Sequence, residues 1–419
     1  MTKLLYVCLD GLGDDPCPEL DGRTPLEAAE TPFLDGLAER GRTGSVVTVG
    51  PGIAPESDIG VFAILGYDPH DEHPGRGVVE AVGCGMDFAD GDLAYRINFA
   101  TAEWPAIVDR RVGRDLSSQE SAELADEVNQ QLSLDGATFA LRATVEHRGV
   151  LVIRSQEGSL SAAVTNTDPA YAREGSMGVA LETFESEVVH CEPLEDTDEA
   201  KRAALLTNAF VEESHWIMEK STINEIRRIE GKLPGNLILT RDGGDRIPHL
   251  QPIEERFGLK WGCFVEMPVE RGIALLLGMD AVPAPRLVSD DQYAEWAELA
   301  AEALPEFQAL YIHLKGPDVP AHDGNADLKR KVISDIDRAF FGEVLPRIDV
   351  KDTVIAVTAD HSTSCVRAAH TADPVPLLIS GAEVQPDGSR SFGEREAAQG
   401  SLGDLRGVDI LPQLVQLMR

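Results

Sequence analysis

Three aspartates of this chain stand just past short apolar runs: Asp10 after Leu4–Leu9, Asp318 in the loop after Leu310–Leu314, and Asp360 after Thr353–Thr358. Histidines accompany two of them. His322 lies four residues beyond Asp318, His361 follows Asp360, and His370 comes nine residues later. Ser57, in Ala54–Gly60, precedes the apolar helical stretch Val61–Leu65. Taken singly, each has an ordinary reading: Asp10 caps or turns the chain, and a serine before a helix is most often its N-cap. Taken together they point to chemistry. Residues just past the carboxyl ends of parallel strands converge however remote they are in sequence. The convergent set is three carboxylates, three imidazoles and a hydroxyl, a mixture of oxygen and nitrogen donors that suits Mn²⁺ or Zn²⁺ more than Ca²⁺. It suffices for two ions, and paired metals clamp the attacking and leaving oxygens of a phosphoryl transfer. A serine at a helix N-terminus and on a metal ionises more readily.

The elements that must position these residues recur along the chain. Leu4–Leu9, Asn236–Thr240, Leu310–Leu314, Thr353–Thr358 and Val375–Ser380 are short, β-branched and apolar, bounded by Gly, Pro and Asp. They read as strands of a mostly parallel sheet buried on both faces. Asp290–Leu304 and Ala326–Leu345 carry helical periodicity and supply covering layers. Between residues 102 and 183 the runs shorten to Thr138–Thr144, Val150–Arg154 and Leu160–Val164, after a helical stretch at Ser117–Leu132. This texture predicts an inserted α+β domain at 102–183 within a discontinuous α/β core at 1–101 and 184–419. Helices from Asp198 to Glu230 lead back to the core.

A chain of 419 residues is long enough for two or three domains and needs no disulfide framework. Its 72 acidic and 37 basic residues leave a formal charge of −35, which disfavours nucleic acid and anionic membrane as partners. The six cysteines are dispersed without a CxxC pair, as buried free thiols in a reducing compartment would be. The amino terminus lacks the pattern of a signal peptide, and no apolar run approaches the roughly 20 residues of a membrane span. The expectation is a soluble cytoplasmic protein whose tryptophans Trp216, Trp261 and Trp296 serve packing.

The motifs LDGLGD (Leu9–Asp14), GPGIAPESD (Gly50–Asp58), PGRG (Pro74–Gly77), YRINFAT (Tyr95–Thr101), NTDP (Asn166–Pro169), GKLPGNLILTRDGG (Gly231–Gly244), HLKGPDVPAHDG (His313–Gly324), TADHST (Thr358–Thr363) and HTADPVPLLI (His370–Ile379) run nearly end to end. In their order and spacing the chain resembles the archaeal-type cofactor-independent phosphoglycerate mutases of the alkaline phosphatase superfamily. The resemblance implies an alkaline-phosphatase-like three-layer α/β core with a smaller inserted α+β domain. It implies interconversion of 2- and 3-phosphoglycerate through a phosphoserine at Ser57, a step of glycolysis. One ion would be held by Asp10, Ser57, Asp360 and His361 and a second by Asp318, His322 and His370. Manganese is the expected metal, with zinc or magnesium as substitutes, and no 2,3-bisphosphoglycerate is needed.

A site for a small polyanion on so acidic a chain must be locally positive. Lys315, three residues before Asp318, is assigned to the phosphate and counted as catalytic. Arg76 in PGRG has the chemistry of a bidentate anion clamp. Asn98, Asp168 and Arg241 lie in family-like motifs and complete the substrate-binding candidates, while Arg173 would serve only if the insert folds over the sheet. Asn166 and the acidic segment His70–His73 depart from the family pattern at positions bearing on the acceptor. Two alternatives remain open: a related phosphomutase or phosphomonoesterase acting on another small phosphorylated or phosphonate metabolite, and a catalytically silent metabolite sensor.

Overall fold

The computed structural model describes residues 2–174, 177–181, 183–287 and 289–418. The chain forms two units, residues 1–72 with 250–419, and residues 73–249.

The first unit is built on an eight-stranded sheet in the order Asp280–Ala281, Trp261–Phe264, Ala309–Leu314, Lys3–Leu9, Thr353–Thr358, Val375–Gly381, Arg42–Val47 and Gly403–Arg406. Apart from Lys3 at the start of Lys3–Leu9, its central strands are buried along their whole length, as expected of near-continuous apolar runs covered on both faces. Helices pack in two groups. Ser57–Ile64 meets Pro268–Leu276 and Gly407–Leu417, while Pro32–Glu39, Asp290–Ala303 and Ala326–Ile336 surround the π-turn Asp337–Phe341. Helix, sheet and helix make the three layers the sequence led us to expect. Lys3–Leu9 runs parallel to both neighbours, with Leu9 opposite Leu314 and Cys8 opposite Thr358. Val375–Gly381 departs from the parallel reading: it is antiparallel to both Thr353–Thr358 and Arg42–Val47. A fully buried apolar run looks the same in either direction, so its direction is set by the connection and not by its residues.

The second unit is an antiparallel five-stranded sheet. Leu93–Glu103 lies between Arg148–Ser155 and Leu237–Gly244 and also pairs with Ala106–Asp109, and Ala137–Ala143 continues beyond Arg148–Ser155. Leu93, Tyr95, Ile97 and Phe99 alternate onto one face, where they share a core with Leu124 and Val128 of Ser118–Gln131 and Phe210 of Asp198–Glu219. Ala94 faces the other way, with Val150 and Val152, against Val78 and Ala81 of the helix Arg76–Gly83. Gly77 permits this approach, because a Cβ there would lie 2.2 Å from the Ala94 carbonyl oxygen.

The insert is therefore larger than 102–183: it begins at His73 and ends at His249. The reason is Leu93–Glu103 and Leu237–Gly244, which pair with each other and not with the large sheet. Asn236–Thr240, assigned from its composition to the parallel core, belongs to this second sheet. Leu160–Val164 forms no strand, only an isolated bridge from Val164 to Pro193. Trp261 and Trp296 are buried, whereas Trp216 is 46% exposed and is not a core residue. Among the described residues all six cysteines are free thiols, and no helix is long and apolar enough to cross a membrane.

Candidate metal centre and guanidinium cluster

Strand register builds the first site. Leu9 is level with Leu314 and Cys8 with Thr358, so the next residues, Asp10, Lys315 and Asp360, emerge at one edge of the sheet. The short helix Asp318–His322 and the hairpin of Ser362–Ser364 with Ala369–Thr371 bring His322, His361 and His370 to the same edge. Ser57 occupies the first turn of Ser57–Ile64, with Glu56 as N-cap. Gly60 lets that helix close on the strand end, since a Cβ there would sit 2.3 Å from the Asp360 carbonyl oxygen. All seven residues expected to bind metal thus lie in the first unit. Asp10, Asp360 and His361 form one group whose donor atoms lie within 4.8 Å of one another, and Asp318, His361 and His370 form another. His322 Nε2 is 3.5 Å from Asp318 Oδ1, and Ser57 Oγ is 3.2 Å from His361 Nε2.

The surrounding hydrogen bonds orient these groups. His370 Nδ1 donates to the Pro55 carbonyl oxygen at 2.8 Å and His322 Nδ1 to that of Ala368 at 3.3 Å. Thr363 Oγ1 donates to Asp318 Oδ1 at 2.7 Å, so it accepts from His361 Nδ1 at 3.0 Å. Each imidazole is held by Nδ1 and turns Nε2 to the centre, as metal-binding histidines do. The carboxylates divide in the same manner. Asp360 Oδ1 accepts the amides of Gly11 and His361, both at 3.1 Å, while its Oδ2 has no hydrogen-bond partner. Asp10 Oδ2 meets Lys315 Nζ at 2.9 Å, while its buried Oδ1 also has none.

Burial pushes the Asp10 carboxyl up, but Lys315 and His313 reverse this and hold it well below the usual carboxylate range. Burial, then Asp10, drives Asp360 up to about 7. Asp318 is held low against its burial and the Asp10 charge by His370 and His361. Burial, with His370 beside it, lowers His361 to about 3, whereas Asp318 and Glu56 raise His370 to about 10 against burial. Buried like charges driven apart in this way, with carboxylate oxygens lacking donors, make a site for positive charge. The donor set fits metal ions.

Lys315 also meets Glu270, at 2.7 Å, and His313 lies 3.8 Å from both Asp10 and Glu270. Sequence reasoning missed Glu270 and His313 as well as Thr363. Thr363 lies in the TADHST motif, a usable signal, but nothing local distinguishes Glu270.

The four residues expected to bind substrate all lie in the second unit. Arg96 follows the inward alternation of Leu93–Glu103 onto the face away from Tyr95, as does Asn98. Burial and the neighbouring Arg241 and Arg76 lower the Arg96 guanidinium to about 9. Arg96 Nε is 3.7 Å from Glu80, which also accepts from Arg76 Nε at 2.8 Å. Burial, then Arg148, Arg111, Arg96 and Arg114, push His147 down to about 3. Arg96 Nη1 and Asn98 Oδ1 are buried without hydrogen-bond partners. Arg241 lies 3.8 Å over the Tyr171 ring and bonds Asp242 at 2.8 Å. Asp168 differs from the others, because its carboxylate is engaged by Arg110 in a bidentate pair at 2.8 and 2.6 Å. Arg173 donates to the Ala162 carbonyl oxygen. Asn166 braces the region, donating to the Tyr171 carbonyl oxygen and accepting the Asp242 amide. Crowded guanidiniums on an acidic chain are the local positive field a small polyanion needs.

A mostly parallel sheet between helical layers, with carboxylates, imidazoles and a serine gathered at one edge, defines a member of the alkaline phosphatase superfamily. The family model for 2,3-bisphosphoglycerate-independent phosphoglycerate mutase matches residues 38–224. The protein of that name from Aeropyrum pernix is 41% identical over 99% of both chains. The one from Thermococcus kodakarensis is 38% identical over 99% of this chain and 97% of its own. The solved cofactor-independent phosphoglycerate mutase of Thermoplasma acidophilum superposes with a TM-score of 0.67 at 34% identity, covering 100% of both chains. A solved structure from Pyrococcus horikoshii superposes with a TM-score of 0.81 at 32% identity, over 100% of this chain and 97% of that one. The chain belongs to the 2,3-bisphosphoglycerate-independent phosphoglycerate mutase family.

Proposed function

We propose that this protein interconverts 2- and 3-phosphoglycerate through phosphorylated Ser57, with two divalent ions and no 2,3-bisphosphoglycerate, as a cytoplasmic enzyme of glycolysis. One observation carries the reading: Ser57 Oγ, 3.2 Å from His361 Nε2, belongs to a cluster of carboxylates and imidazoles whose acceptor atoms converge. Asp10, Ser57, Asp360 and His361 would hold one ion, and Asp318, His322 and His370 the other. Manganese and zinc suit these mixed oxygen and nitrogen donors, and magnesium is the further substitute that the family resemblance implies. Bound divalent ions supply the positive charge that favours the Ser57 alkoxide and neutralises a phosphoryl group in transfer.

The remaining work falls to the chain. Ser57 loses its proton and forms the Oγ–P bond as the ester bond to glycerate breaks, and the departing glycerate oxygen takes up a proton. We assign the charge facing the phosphoryl oxygens to Lys315 Nζ, which Asp10 and Glu270 fix from two sides. Glycerate then returns its other hydroxyl to phosphorus, reversing each bond change. Unless glycerate is retained, water completes the reaction and free phosphate results. We assign retention to Arg76, Arg96, Asn98 and Arg241, whose guanidinium and amide groups suit a carboxylate. Asp168 holds Arg110, which meets the same Tyr171 ring as Arg241.

The test is ³¹P NMR of the protein with 3-phosphoglycerate and Mn²⁺, Zn²⁺ or Mg²⁺ in parallel. Growth of a 2-phosphoglycerate signal without free phosphate is the expected result. Free phosphate alone would make the protein a phosphomonoesterase. Binding without turnover under every ion would make it a sensor.

A further inference from the structure

Lys329, in the helix Ala326–Ile336, is fully buried, yet no step above uses it. An ammonium has three protons, and each of these finds an acceptor. Lys329 Nζ donates to the Gly13 carbonyl oxygen at 3.0 Å, to Asp14 Oδ2 at 2.9 Å and to the Thr363 carbonyl oxygen at 2.8 Å. These acceptors belong to two loops, one carrying Asp10 and the other carrying Asp360 and His361. The loops are stitched further around the same point: the Thr363 amide donates to the Gly13 carbonyl oxygen at 2.9 Å, and the Cys365 amide to Asp14 Oδ1 at 2.9 Å. Thr363 in turn holds Asp318 and His361 through its hydroxyl. The helix bearing Lys329 follows closely after Asp318–His322. One ammonium thus pins the segments that carry both proposed ligand sets.

Asp14 also lies with Cys17 and Cys365 in a group whose donor atoms are close enough together for an ion. Lys329 already supplies the positive charge there. Burying an ammonium completely is costly, and a buried ion pair is weak evidence for stability on its own account. What this pair provides is geometry.

We propose that Lys329 is a positioning residue of the metal centre, fixing the spacing of the Asp10 and Asp360–His361 loops and thereby setting metal affinity. The inference rests on the metal-centre reading above. Its test is calorimetric titration of the full-length, chelator-stripped protein with Mn²⁺, alongside melting in chelator and the visible spectrum of the Co²⁺-loaded protein. Two variants are compared with wild type: Lys329→Met, and Lys329→Met with Asp14→Asn, which leaves no unpaired buried charge.

The double variant is expected to melt in chelator within a few degrees of wild type. Its Mn²⁺ affinity should fall by roughly 10- to 100-fold, the range for groups that orient metal ligands, and its Co²⁺ bands should shift. Mn²⁺ affinity within twofold of wild type in a folded variant would overturn the proposal. So would failure of both variants to fold in chelator, which would assign Lys329 to stability alone. Wild-type protein that binds no Mn²⁺ would sink the metal-centre reading first, and this inference with it.

Discussion

Ser57 Oγ donates to His361 Nε2, whose other nitrogen is tied to Thr363, so the fold holds the hydroxyl and the imidazole side by side. Ser57→Ala should reduce mutase turnover by roughly 10⁴-fold or more, as loss of a nucleophile does. Mn²⁺ binding should weaken but persist, because the carboxylates and imidazoles remain. Full activity in that variant, followed by ³¹P NMR, would exclude a phosphoserine. Away from this centre, burial and the nearby Glu27 push the Glu394 carboxyl up to about 7, although Thr24 Oγ1 donates to it at 2.6 Å. Its folded-state value exceeds the ordinary one of 4.5, so the folded state binds the proton more tightly than the unfolded. The stability this confers is complete below pH 4.5 and is lost as pH rises through about 7. Glu394→Gln mimics the protonated form. It should match wild type at pH 4.5 and exceed it at pH 8 by roughly 2–3 kcal/mol, read from denaturant unfolding at both pH values. Equal pH dependence in the two proteins would refute the assignment.

At the scale of elements, the parallel register of Lys3–Leu9 with its two neighbours makes the metal-centre edge, and the antiparallel register of Leu93–Glu103 makes the guanidinium face. Within the second unit, helix Thr222–Ile229 is locked by Arg227, which is 1% exposed. It donates to the Leu233 carbonyl oxygen at 2.8 Å and to Glu120 at 2.9 Å, and it pairs with Asp115. The same Glu120 closes the capping box of Ser118–Gln131 with Ser117. Arg227→Met strips charge partners from two acidic groups and removes the donor to the half-buried Leu233 carbonyl. It should destabilise this unit by roughly 1–3 kcal/mol, because the carboxylates left behind still reach water. Hydrogen exchange should then quicken across 115–131 and 222–236, while Mn²⁺ affinity of the first unit stays unchanged. Uniform exchange across both units would show that the effect is not confined to these elements.

At the scale of the whole molecule, net charge governs how stability responds to salt. A net −35 works against any compact state through self-repulsion, and salt screens this over a distance of about 10 Å at 0.1 M and about 3 Å at 1 M. Surface ion pairs such as Arg347–Glu298 are screened as well, but each contributes little. With nearly twice as many acidic as basic residues, repulsion outweighs them. The melting temperature should therefore rise as KCl increases from 0.05 M to about 1 M. A fall over that range, measured by scanning calorimetry, would show that attractive pairs dominate instead.

Asp10, Asp318, Asp360 and their histidines were legible because strand and loop signals are local: an apolar run followed by Asp and Gly marks a strand end whatever the rest of the chain does. Ser57 and Lys315 were legible through the motifs around them, and the arginine need was legible from charge alone. The limits of the second unit were not. Leu237–Gly244 has the composition of a core strand, and only its pairing with Leu93–Glu103, far away in sequence, assigns it. The direction of Val375–Gly381 was hidden for the same reason. Nothing in the sequence around Lys329 or Glu270 sets them apart, and their contacts arise only from what register and packing bring against them. Local chemistry thus determined which residues could act and roughly which elements carry them. Tertiary structure decided which strands pair and which charges are buried, because pairing and desolvation are properties of neighbours that adjacent residues do not encode.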